Sequence, residues 1–212
     1  MAGKPRIGII GNGNVGKSLT QGLKRSGYAV EAVGRNPPRV KEVARNADVI
    51  FLAVPFGERQ NVLREIGEAA NGKPLIDVTN ALTPDGDYAA DLKKSGAEHV
   101  QEQARNAKVV KAFNTVFAQN MATGNAHGEK LSLFAAGDDP AAKEQVLNIG
   151  RDLGFDPVDA GPLANARWLE TLGILNIKLG YGQKLGTDIG FRLAGNPQPR
   201  TVPVAGVAGR AR

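Results

Sequence analysis

The sequence predicts an α/β fold: a doubly wound parallel sheet in the N-terminal part, followed by a small C-terminal α/β unit. Three observations predict it. Short apolar runs alternate with segments of helical period along most of the chain, the pattern of βαβ units. The first apolar run, residues 7–10, enters a glycine-rich turn and then a helix pattern without any spacer. The chain has 212 residues and is 42% hydrophobic, enough to cover both faces of such a sheet.

Each element has a local reason. After the first strand, Val15, Leu19 and Leu23 recur every four residues and Gly27 closes a helix. Residues 29–33 form strand two. Asn36 is a good cap for helix two, and Pro37 and Pro38 are tolerated in its first turn. Residues 48–54 are a buried strand stopped by Pro55, and residues 58–70 are amphipathic. Residues 74–78, 108–113 and 131–136 are further strands. Asp139 caps a helix over 140–153, Gly154 stops it, and 157–159 is a short strand. Pro162 opens a long last helix. Its segment 172–179 is apolar on most sides, which predicts burial against a second domain or in a subunit interface. Gly124, Asn125 and Gly128 interrupt the pattern near 120–128. The expected organisation is therefore 1–124 as the first domain, 125–194 as a small C-terminal domain with a buried helix, and 195–212 as a flexible basic tail.

The first turn reads Gly11-Asn12-Gly13-Asn14-Val15-Gly16. Between a strand and a helix, this is the dinucleotide fingerprint of a Rossmann-type fold. Gly11 allows the tight turn, Gly13 lets backbone approach a pyrophosphate, and Gly16 lets helix and strand pack. The free N–H groups at the helix start face the phosphates. NAD-type sites place an acid about 20 residues further on, to hold the ribose 2′-hydroxyl. Strand two instead ends Ala32-Val33-Gly34-Arg35-Asn36, with Glu31 too early and Arg39 one turn later. Arg35 and Arg39 suit a 2′-phosphate, so NADP(H) is expected over NAD(H). As solvated surface charges they carry no such meaning. Ligands of open α/β sheets bind beyond the carboxyl ends of strands. Val54 and Pro55 are expected on the adenosine and pyrophosphate side. Asn80 is expected near the nicotinamide, and Asn114 with Thr115 near the nicotinamide or an acceptor ring. Turn chemistry alone also explains an Asn at these positions.

Composition narrows the function. With no Cys, disulfides, thiolate metal sites and cysteine nucleophiles are excluded. No apolar run is long enough for a membrane span, and a cytoplasmic protein is expected. Of the net charge of +6, Arg200, Arg210 and Arg212 supply half from a tail without acids. Aromatics are 5% of the chain and do not interleave with a basic helix, so nucleic-acid binding is not expected. His99 and His127 stand away from strand ends and read as surface residues. Asp138-Asp139 precedes a helix and reads as a cap rather than a metal pair. No metal site is expected.

The chain resembles the coenzyme F420-dependent NADP oxidoreductases and their bacterial dinucleotide-binding relatives, from residue 6 to about residue 193. Gly13-Asn-Val-Gly16 looks like the family's phosphate turn. Val33-Gly-Arg-Asn-Pro37 looks like its NADP segment, usually Gly-Ser-Arg. The most specific match is Gly137-Asp-Asp139 with Asp159-Ala-Gly-Pro-Leu-Ala-Asn-Ala-Arg-Trp-Leu-Glu170. There are departures. The Ser before the arginine is absent, and Asn36 stands next to the gap. The connection from helix two into strand three is shorter than in archaeal members. Asn114 stands where F420 enzymes carry a His before Thr. In this respect Ala112-Phe-Asn-Thr115 is similar to the cytosolic domain of the six-transmembrane metalloreductases, which pass hydride from NADPH to a flavin.

The resemblance implies hydride transfer between NADP(H) and coenzyme F420 or a flavin such as FMN or FAD. Asn114 and Thr115 would lie at the reacting rings, and the protein would be a homodimer. Such chemistry needs little acid–base machinery, because the cofactors carry it. Two alternatives stay open: a flavin-linked ferric or metal reductase-like enzyme, and a non-catalytic NADP-binding redox sensor, which the lack of a recognisable catalytic acid or base would suit.

Overall fold

The structure is a computed structural model and describes residues 3–83 and 94–195. Apart from Gly195, the expected tail lies outside the described residues.

Five parallel strands form the frame: β1 (Ile7–Ile10), β2 (Val30–Val33), β3 (Val49–Leu52), β4 (Pro74–Asp77) and β5 (Lys108–Ala112). Their spatial order is β2-β1-β3-β4-β5, so the order reverses between β1 and β3. The register there is close, with Ile9 facing Ala32 on one side and Phe51 on the other. A reversal of this kind opens a crevice at the strand ends, the usual ligand position in such sheets.

Helix α1 (Asn14–Arg25) buries Gly16, Leu19, Gly22 and Leu23, and Lys24 and Arg25 in its last turn suit the helix dipole. It packs on one sheet face with Ile7, Ile9, Phe51, Ile76 and Val110. Helix α2 (Pro37–Asn46), with Asn36 accepting from the Arg39 N–H, covers the other face through Val40 and Val43. It shares that face with α3 (Arg59–Ile66) and α4 (Gly96–Gln103), which contribute Leu63, Ile66, Ala97 and Val100. The sheet is thus wound on both sides, as the alternation predicted.

Sequence periodicity misses α4, yet its start signal is present. Ser95 and Glu98 form a reciprocal capping box, with the Glu98 N–H donating to Ser95 Oγ at 3.1 Å and the Ser95 N–H to Glu98 Oε2 at 2.7 Å. A short helix, α5 (Ala118–Met121), and a small hairpin of β6 (Asn125–Ala126) and β7 (Glu129–Lys130) also follow no periodic run.

Beyond them the chain does not start a new sheet. Strand β8 (Ser132–Gly137) pairs antiparallel with β5, and β9 (Asp156–Asp159) pairs parallel with β8, so one seven-stranded sheet runs across the boundary expected near residue 124. Helix α6 (Pro140–Asp152) joins them, capped by Asp139 Oδ1, which accepts from the Ala142 N–H at 2.8 Å. Helix α7 (Ala166–Ile177) crosses the carboxyl ends of β4 and β5 and continues as a wider turn over Lys178–Gly182. No helix among the described residues is long and apolar enough to cross a membrane.

Candidate functional site: a dinucleotide cleft and an asparagine pair under helix α7

The three glycines of the first turn have three different surroundings. Gly11 has φ +117°, and a Cβ there would lie 2.1 Å from the Ala53 carbonyl oxygen at the end of β3. A Cβ on Gly16 would lie 1.9 Å from the Gly11 carbonyl oxygen. Both glycines are required by the protein's own packing. At Gly13 a Cβ meets nothing within 4 Å, and as the residue immediately before α1 it has no side chain to cap the helix. The helix start therefore presents free N–H groups to open space, which fits a phosphate cradle.

That space is a cleft of about 690 Å³ lying over the β1–β3 reversal. It is lined by Gly11, Asn12 and Gly13, by Arg35 and Glu58, and by the apolar side chains of Val40 and Val62. Val54 and Pro55 line it as well. Asn12 packs against Gly34, where a Cβ would come within 2.7 Å of the Asn12 amide.

Not every predicted binding residue reaches this cleft. Asn14, Val15 and Gly16 belong to the helix behind the turn and are not among its lining residues. Asn36 caps α2. Arg39 is also outside the lining, with its guanidinium paired to Glu42 at 2.7 Å and to Glu31. Arg35 does line the cleft, and its Nη2 donates to Glu58 Oε1 at 2.8 Å.

Asn80 and Asn114 stand apart from the cleft but together. Asn114 Nδ2 donates to Asn80 Oδ1 at 3.2 Å and to the Leu169 carbonyl of α7 at 2.8 Å. Gly173 of α7 makes the approach possible, since a Cβ there would lie 2.6 Å from Asn80 Oδ1. Asn114 Oδ1 is buried and has no partner among the described residues. Asn114 follows Phe113, which is fully buried at φ +66° between the rings of Phe51 and Phe155. A bulky residue in the left-handed region costs roughly 1–3 kcal/mol and concentrates at functional turns. Thr115 is buried, and its carbonyl accepts from Asn176 Nδ2 at 3.0 Å.

Sequence reasoning misses the charged cluster beside this pair. Lys111 on β5 is fully buried and lies 3.0 Å from Asp77 Oδ2 and 3.2 Å from Glu170 Oε1. Its ammonium also donates to the Thr79 carbonyl at 2.6 Å. Glu170 accepts from the Gly96 and Ala97 N–H groups at the start of α4. Arg59 closes the group, with Nη1 donating to the Gly96 carbonyl at 2.9 Å and its guanidinium over the Phe56 ring. Burial pushes the Asp77 carboxyl up, but Lys111, Arg59 and the Thr79 N–H pull it down further, so it stays ionised. Burial lowers the Arg59 value, against the pull of Asp77 and Glu170. The signal was available: Asp77 and Lys111 interrupt apolar strand runs, and buried charges are paired.

His99 and His127 are exposed and face Glu102 and Asp188. No cluster of three or more His, Asp or Glu able to hold a metal exists among the described residues.

Comparison with known proteins places this architecture. The model of the family described as NADP oxidoreductase, coenzyme F420-dependent, matches residues 6–46 and 38–81, the stretch from β1 through the end of β4. The chain is similar to this family over that stretch. Among relatives, it is 26% identical to the F420-dependent NADP reductase of Methanocaldococcus jannaschii, over 82% of this chain and 79% of that one. It is 33% identical to Metalloreductase STEAP3 of Rattus norvegicus over 79% of this chain. It spans only about a third of the length of such metalloreductases, 36% for this one. A crystal structure of an F420-dependent NADP-reductase candidate from Arthrobacter sp. FB24 superposes with a TM-score of 0.83 at 27% identity, covering 90% of this chain and all of the other.

In this chain the string 159–170 is structural in most of its polar positions. Asp159 accepts from the Gly161 N–H at 2.7 Å, Asn165 donates to the Ala160 carbonyl, and Glu170 belongs to the buried cluster. Asp138 joins in by accepting from the Leu163 N–H at 2.8 Å. These contacts seat α7 across the strand ends.

Proposed function

We propose that the protein is an NADP(H)-dependent oxidoreductase that exchanges hydride between NADP(H) and a flavin-like ring, with coenzyme F420, FMN or FAD as the candidate acceptors. The observation that carries this reading is the glycine cradle. Gly11 and Gly16 are filled by the protein's own backbone, while Gly13, at the start of α1, faces open space in the cleft. That arrangement supports a pyrophosphate held by the free N–H groups of α1. Arg35 is the residue for the 2′-phosphate, and Val54 and Pro55 flank the nucleotide. When bound, NADPH would supply the hydride, and a flavin-like acceptor would be reduced by that hydride and one proton.

The chain's own part is orientation. Asn114 Oδ1 is buried without a partner among the described residues, an acceptor of the kind a carboxamide N–H would satisfy, and Asn80 and the strained Phe113 turn hold Asn114 in place. Among the described residues no side chain is arranged as a nucleophile, in keeping with direct transfer. A homodimer belongs to the same reading. Trp168, Leu172, Leu175 and Leu179 follow one side of α7 and its extension, with Trp168 63% and Leu175 49% exposed. This apolar row supports pairing with a second copy.

The test is NADPH oxidation with F420, FMN, FAD and riboflavin, repeated with Asn114→Ala. Turnover with at least one acceptor is expected, with a drop of about ten-fold or more in the variant, mainly in kcat. Binding of NADPH without turnover of any acceptor would overturn the enzyme reading in favour of a redox sensor.

A further inference from the structure

Strand β2 carries no acid where NAD-type sites place one, yet the fold delivers one from elsewhere. Glu58 lies 23 residues beyond Arg35, on the turn Phe56–Glu58 that follows β3. The β1–β3 reversal brings that turn opposite the end of β2, and Glu58 Oε1 accepts from Arg35 Nη2 at 2.8 Å, both residues lining the cleft. The second candidate cation, Arg39, is already held by Glu31 and Glu42. Arg35 lines the cleft beside the glycine turn with a carboxylate already on it, whereas Arg64, which also lines the cleft, is held by Asn61 on its own helix.

We propose that Glu58 is a specificity-determining residue: its carboxylate competes with the nucleotide 2′-phosphate for Arg35 and so limits the preference of the site for NADP(H) over NAD(H). The inference rests on the dinucleotide reading of the cleft. A 2′-phosphate brings up to two negative charges to a guanidinium whose Nη2 already donates to a carboxylate. It either displaces Glu58 or sits beside it, and each costs NADP(H) affinity. A nucleotide with a free 2′-hydroxyl leaves the ion pair undisturbed. Both side chains are solvent-accessible, Arg35 at 86% and Glu58 at 41%, so the competition is screened by salt and modest in size.

The test compares wild type, Glu58→Gln, Arg35→Ala and the double variant at low ionic strength. The ligands are NADPH and NADH, with 2′,5′-ADP and 5′-AMP to isolate the ribose end. Glu58→Gln is expected to tighten NADPH and 2′,5′-ADP about two- to five-fold. It is expected to leave NADH and 5′-AMP unchanged, and added salt should erase the difference. In the Arg35→Ala background the gain should vanish, since it acts through Arg35. The melting temperature should hold, because the pair is exposed. An unchanged or smaller NADPH-to-NADH preference in Glu58→Gln, with wild-type binding intact, overturns the competition alone. A gain that survives in the double variant also overturns it. If wild type binds neither NADPH nor NADH, the dinucleotide reading itself fails, and this inference with it.

Discussion

At Gly13 an added methyl meets open space with φ at −70°, whereas at Gly11 it meets the Ala53 carbonyl with φ at +117°. The two substitutions therefore separate binding from folding. Gly13→Ala is expected to keep its melting temperature within about 2 °C, since alanine is at ease at that φ and nothing is displaced. It should weaken NADPH at least about ten-fold, because the methyl stands where the phosphate approaches. Gly11→Ala should instead lower the melting temperature, by about 5 °C or more. Differential scanning calorimetry beside a fluorescence titration gives both numbers. Normal NADPH binding by Gly13→Ala would place the phosphate cradle elsewhere.

Helix α7 shows how an element with a strong sequence signal acquires two unlike faces. Its segment 172–179 is apolar on most sides. The face toward the sheet carries Leu169, Gly173, Ile174 and Asn176, all buried, and meets the Asn80–Asn114 pair through Gly173. The opposite row, from Trp168 to Leu179, is left at the surface of the single chain, where Tyr181 and Leu185 extend it. Burying such a row in a second copy releases roughly 25 cal/mol for each Å² removed from water. Trp168→Arg places a charge in the middle of that contact. Sedimentation should find a dimer for wild type and a shift toward monomer for Trp168→Arg, with the fold retained. A wild-type monomer at every concentration would sink the homodimer.

Across the whole molecule, the buried Lys111–Asp77–Glu170 cluster with Arg59 ties together β4, β5, α3, α4 and α7. Removing one partner from such a group strands the others, at about 3–5 kcal/mol. Lys111→Met should thus lower stability by that amount, which for a chain of this size is on the order of 10 °C in melting temperature. Adding Asp77→Asn should restore part of the loss by removing one stranded charge. Urea unfolding followed by circular dichroism measures both. A Lys111→Met variant as stable as wild type would show that the cluster does not hold these elements together.

The glycine turn, the five parallel strands and the cap residues Asn36 and Asp139 were legible because each rests on contacts within a few residues. Gly11 needs its φ, Asn36 reaches the Arg39 N–H, and the apolar runs declare buried strands. Of the strings that carry the family resemblance, the glycine turn and residues 33–37, both local, fall within the matched stretch. The rest depends on residues far apart in sequence. Extension of the sheet through β8 and β9 arises from pairing of β8 onto β5 and of β9 onto β8, which no local pattern specifies. Helix α4 hid because its length is short and its apolar face weak, although its capping box was in plain sequence. The sequence by itself determined that a dinucleotide-type turn opens the chain and that Arg35 follows strand two. Only the tertiary structure decided that Glu58 meets Arg35, that Arg39 turns away to Glu31 and Glu42, and that Lys111 is buried on Asp77 and Glu170. The reason is physical: charges choose partners by distance in space, and the β1–β3 reversal and the crossing of α7 set those distances.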